Sequence, residues 1–259
     1  MAYPPIALPP NTAPEICGLV AYRIDLYLAD VHAMLRLPRP DIGIDAGCNF
    51  AALEVLCALV SGLSRVFTTE SGSAAAFRHV MNFYPSERDP SALGKQDMTD
   101  SLYETFRCNF SHSLGFNVPN PAQFGGPRVI VPLAQPTKVL RHVPGTGDEK
   151  RLNELDDLHN RPAWLPPTIY VENGVKKLCV EALYWGCRRL VINLTGDAAC
   201  VTNAQIFLRG LQLAQPAHVP SGATIKARTY DVTSSDAVVS HTLSALTAGA
   251  TLPGPPESK

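Results

Sequence analysis

The sequence predicts a mainly α-helical protein: an up-and-down bundle of four to five helices with a small β-hairpin appended and an irregular C-terminal region. Two observations predict this class. Apolar residues recur at three- and four-residue steps through several long segments, the mark of a helix with one buried face. Hydrophobic residues make up 46% and charged residues 17% of the 259 positions, enough apolar material for a core.

Residues 1–13 are Pro-rich and read as an extended lead-in to a bundle over 14–196. A first helix is predicted from Pro14 to Leu37, with Ile16, Leu19, Tyr22, Leu26, Ala29 and Ala33 as its apolar stripe. Pro14 suits a first turn, and Pro38 and Pro40 stop the helix. A second is predicted over 45–67, with Phe50, Leu53, Leu56, Cys57, Val60 and Leu63 in step and Glu54 off the stripe as a rim carboxylate. A third covers 73–84, ended by Pro85, and a polar loop follows over 86–96. The fourth runs from Asp97, a suitable N-cap, to Leu114, with Gly115 where a left-handed residue closes a helix.

Beyond it the pattern changes. Two β-like runs, 128–131 and 137–143, predict a hairpin laid on the bundle. The PGTGDEK stretch reads as a plain turn, and Glu154, Asp156, Asp157 and His159 as a solvated acidic face rather than a metal site. A fifth helix is predicted from Gly174 to Leu194, on which Lys177 and Arg188 share a face that could touch phosphates. A short helix over 203–215 lies within the C-terminal extension, 197–259.

Charge and cysteine usage exclude several classes. The formal net charge is −1, so any contact with nucleic acid must be local. The seven cysteines are odd in number and include no CxxC pair; they read as reduced thiols packed as small hydrophobes. No credible metal-ligand set stands out, and neither a metal nor another cofactor is expected. The N-terminus has no basic region and is broken by prolines, unlike a signal peptide. The longest apolar run, 46–63, falls short of the ~20 residues of a membrane span, which predicts a cytoplasmic protein with no membrane partner.

The fourth helix carries the chemistry. At about 100° per residue, Leu102, Tyr103, Phe106, Phe110, Ser113 and Leu114 share a core face centred near Phe106. Glu104, Arg107, Cys108, Ser111 and His112 lie opposite. Arg107 and His112 bracket a patch floored by Cys108 and Ser111, which something else can approach closely.

Arg107-Cys-Asn-Phe-Ser-His112, late in the last helix of a four-helix bundle and preceded by LYETF, resembles the R-x4–6-H motif of HEPN domains. The resemblance covers about residues 14–115 and extends to the 174–194 segment if that is a late bundle helix. It implies a four- to five-helix bundle, a homodimer, and an active site formed by the paired motifs of two subunits. It further implies metal-independent cleavage of RNA, in a toxin or defence effector that an antitoxin-type protein would restrain. Arg107 would stabilise the phosphate and His112 would move the proton, with Glu104, Cys108, Asn109 and Ser111 supporting the site or its interface. Nuclease members commonly carry a polar residue directly after the arginine; here Cys108 stands there and Asn109 comes one place later. A noncatalytic module that scaffolds, or binds RNA or protein without cutting, is the alternative implied.

The division of labour has a physical basis. Attack by the ribose 2′-OH needs a group that exchanges protons near neutral pH, which histidine supplies. It also needs a fixed cation on the phosphorane oxygens, which the guanidinium fork supplies.

Overall fold

The computed structural model describes residues 3–37, 48–86, 92–108, 137–140 and 149–214, all within one compact unit, Met1–Ala214. The protein is mainly helical with a small three-stranded sheet. Several expectations lie outside the described residues: the end of the fourth helix with Asn109, Phe110, Ser111 and His112, the 128–131 strand, most of PGTGDEK, and 215–259.

Helix α1 spans 14–36 as Pro14–Leu19, a π-helical turn Val20–Ile24, and Asp25–Arg36. Its buried stripe is Ile16, Val20, Ile24, Leu28, Val31 and Leu35. The expected stripe through Tyr22 and Leu26 is a correction: these side chains are 76% and 55% exposed. On a wheel at about 100° per residue the buried set spans one arc of about 120°, and Tyr22 and Leu26 lie opposite it: the segment carries two apolar stripes, and the fold buries the other one.

Helix α2, Asn49–Phe67, buries Leu53, Leu56, Cys57, Val60, Leu63 and Phe67, and packs on α1. By length and composition it could cross a membrane, but half of its most apolar window is buried inside the protein, as in a core helix. Helix α3, Ser73–Met81, packs along α2 and turns into Tyr84. Helix α4 runs over 95–108, as Lys95–Asp100 and a π-helical stretch Ser101–Cys108, with Leu102 and Phe106 fully buried.

Strand β1, Thr137–Leu140, is followed by α5, Glu149–Glu154, and by β2, Ile169–Glu172, and β3, Val175–Cys179. The sheet order is β1-β3-β2. Of the hairpin expected within 128–143, the first run lies outside the described residues; the described part of the second, β1, pairs parallel with β3, Val139 opposite Leu178. Among the described residues a hairpin joins antiparallel β2 and β3. Asn173 and Gly174 turn it with φ of 52° and 73°, the backbone that Asn-Gly adopts most readily in a two-residue loop. Asn49 Nδ2 donates to the Val139 carbonyl at 3.4 Å and moors the sheet to α2.

The expected helix from Gly174 therefore begins six residues late. Helix α6 is Val180–Gly196, its first turn capped by the Cys179 sulfur, which accepts from the Ala182 amide. Gly186, in mid-helix, has a clear role: a Cβ there would stand 1.8 Å from Tyr84 Oη. That hydroxyl lies 2.9 Å from Thr168 Oγ1 and donates to the Ala182 carbonyl at 3.2 Å. Helix α7, Ala198–Ala214, packs on α1, α2 and α6. The described part of the 197–259 extension is thus a regular helix of the bundle.

Candidate functional site

Arg107 projects from α4 toward α2. Its Nε–H donates to Ser61 Oγ at 2.8 Å, and the Ser61 hydroxyl donates to the Cys57 carbonyl at 2.8 Å. The guanidinium lies over the Tyr103 ring, 4.9 Å from its centre. Tyr103 is fixed in turn: Phe77 meets its ring at 5.1 Å and 60°, and its hydroxyl lies 3.0 Å from Ser73 Oγ. Contacts from α2, α3 and α4 thus orient one cation.

Glu104 does not pair with Arg107 one turn away. It meets Arg78 of α3 at 3.3 Å, and Arg78 Nε donates to Asp100 at 2.7 Å. Bonds from Arg78 and Gln96 hold the Asp100 carboxyl below its ordinary range. Arg78 thereby straps α4 to α3 and leaves Arg107 directed at α2.

An open groove of about 450 Å³ runs along α2, lined by Glu54, Cys57, Ala58, Ser61, Gly62 and Arg65, with Arg107 from α4. Two guanidinium groups and one carboxylate line it. The expected placement of Arg107 and Glu104 off the core face, with Phe106 in the core, agrees with the geometry: Glu104 is exposed, Arg107 half-buried and Phe106 buried. Cys108 closes the described part of the helix, and Asn109, Ser111 and His112 lie outside it.

The second expected basic face is corrected. Lys177 lies in strand β3 and ion-pairs with Glu172 across the hairpin, so it shares no helix face with Arg188. Arg188 is only 1% exposed. It donates to the carbonyls of Leu155 and Pro4 at 3.2 and 2.8 Å and to Asp156 at 3.1 Å, with the Tyr3 and Tyr184 rings beside it. An Arg188 side chain so enclosed is not offered to a phosphate.

Sequence reasoning missed the buried polar cluster that Arg188 anchors. Asp25 accepts from Tyr3 Oη at 2.6 Å, and His32 Nε2 lies 3.7 Å from Asp156. Burial pushes the Asp25 carboxyl up and the His32 imidazole down. The acidic stretch is corrected in part: Asp157 and His159 are exposed as expected, but Asp156 faces inward to Arg36 and Arg188, and Glu154 accepts from Trp164 Nε1 at 2.7 Å. The available signal was the spacing of Asp25 and His32, two turns apart and therefore on one helix face. The cluster pins the N-terminal segment to α1 and α6 through Tyr3 and Pro4.

Among the described residues, no group of three or more His, Cys, Asp or Glu side chains is placed to hold a metal ion, and six cysteines are free thiols. Comparison with known families, curated proteins and solved structures found no match to this chain.

Proposed function

We propose that this chain is a HEPN-like, cytoplasmic, homodimeric endoribonuclease. In this reading Arg107 stabilises the scissile phosphate and His112 transfers the proton as the ribose 2′-OH attacks, without a metal. The observation that carries it is the setting of Arg107. Its guanidinium is held by Ser61 and Tyr103 at an open groove that also receives Arg65. A planar cation oriented in advance loses little freedom on meeting a phosphate, and it can stabilise charge developing on the equatorial oxygens. A toxin or defence role, restrained by an antitoxin-type partner, belongs to the same reading.

A noncatalytic binding module is the second reading, and Glu54 favours it. A carboxylate in the same groove repels a phosphodiester and suits a protein partner.

The test is RNA binding followed by fluorescence anisotropy, with cleavage of the same RNA followed on gels. The nuclease reading expects Arg107→Ala to weaken both. Arg107→Lys should restore binding better than cleavage, because a point charge lacks the fork. RNA binding without cleavage would select the module, and no RNA binding by the native chain would end the RNA reading.

A further inference from the structure

We infer that the exposed face of α2 is the seam of a two-fold homodimer in which two copies of this helix cross antiparallel. This deepens the homodimer reading by naming the surface, and it does not depend on RNA.

The argument starts from what α2 leaves uncovered. One face of the helix is in the core, yet Ala51, Glu54, Ala58, Gly62 and Arg65 are exposed at three- and four-residue steps. The middle of that face is small, so another helix can approach closely. Gly62 is not required by the chain's own fold: a Cβ there would meet nothing within 4 Å. A glycine inside a helix costs roughly 0.5–1 kcal/mol relative to alanine. Close approach of a second backbone would give it a use.

The charge pattern identifies the occupant. Glu54 and Arg65 stand eleven residues apart, about 16 Å along the axis, too far to pair with each other. Among the described residues neither has an ion-pair partner. They lie equidistant from the midpoint between Leu59 and Val60, as do Cys57 and Gly62, and Ala58 and Ser61. A two-fold axis through that midpoint sets Glu54 against the partner's Arg65, and Ala58 against the partner's Ser61, at both ends alike. This is the self-complementarity an isologous interface demands. Arg107, bonded to Ser61, then stands at the edge of the seam in each copy.

Sedimentation velocity on the full chain at micromolar concentration tests the seam. The native protein should be a dimer. Glu54→Arg and Arg65→Glu should each weaken association by about tenfold or more, since each sets like charges together twice. The combined variant E54R/R65E should recover the dimer, because the exchanged charges meet across the axis. Gly62→Leu should be monomeric with unchanged circular dichroism, as its side chain enters open space within the monomer. A native monomer would overturn the seam. So would single-charge and Gly62→Leu variants that all associate like the native chain. Loss of RNA activity with this pattern intact would remove the proposed function and leave the seam standing.

Discussion

At Arg107, two contacts convert a flexible side chain into a directed one. Ser61 fixes Nε, and Tyr103 supports the guanidinium plane. Ser61→Ala should therefore lower RNA affinity by less than Arg107→Ala, since the charge stays while its aim is loosened; anisotropy with both variants checks the order. Helical spacing made Arg107 legible as a surface residue. It could not show that Ser61, 46 positions earlier, receives it, because that contact depends on how α2 meets α4. His32 presents the opposite case. Burial holds its pKa below the ordinary value of 6.5, with Asp156 opposing and Arg36 and Arg188 reinforcing. The neutral imidazole thus contributes stability that is full above about pH 6.5 and is lost as pH falls toward the depressed folded value. Asp25, raised by burial, works in the other sense: its contribution is full below 3.8 and lost as pH rises through its folded value. Urea midpoints between neutrality and about pH 5 should fall more steeply for the native chain than for His32→Gln. Equal slopes would contradict the assignment.

Among elements, helices were readable where one apolar stripe stood alone and misread where two competed. The first helix carries two stripes at helical spacing, and the one through Val20, Ile24 and Leu28, not the one through Tyr22 and Leu26, is buried. The strand Val175–Cys179 was misread because Val175, Leu178 and Ala182 fall at helical steps by coincidence. The overlooked signal was Asn173-Gly174, whose positive φ values form the turn. Gly174→Val should cost about 1–2 kcal/mol by forcing a branched side chain into the left-handed region, seen as a lower thermal midpoint. The parallel pairing of β1 with β3 was not legible, because nothing in a single run specifies a distant partner. Gly186→Ala should cost more, about 2–4 kcal/mol, by displacing Tyr84 and its hydrogen bonds. Adding Tyr84→Phe should soften the clash, and chemical denaturation of the single and double variants measures the difference.

For the whole molecule, the mainly helical class with a small sheet was legible because hydrophobic periodicity and composition survive without tertiary knowledge. The long-range ties were not. Arg188 binds Pro4, Asn49 reaches Val139, and α7 closes onto α1, α2 and α6; each joins segments far apart in sequence. Together they hold α2 and α4 so that Arg107 and Arg65 share one groove. The central claim is the proposed metal-independent cleavage of RNA by Arg107, at the edge of this groove, and His112. The most direct measurement is end-group analysis of RNA incubated with the native chain, Arg107→Ala and His112→Ala, each with EDTA. The account predicts 2′,3′-cyclic phosphate ends from the native chain, with rates lower by about 10²–10⁴ for His112→Ala and comparably for Arg107→Ala. Cleavage abolished by EDTA, 3′-hydroxyl ends, or native rates in both variants would contradict it.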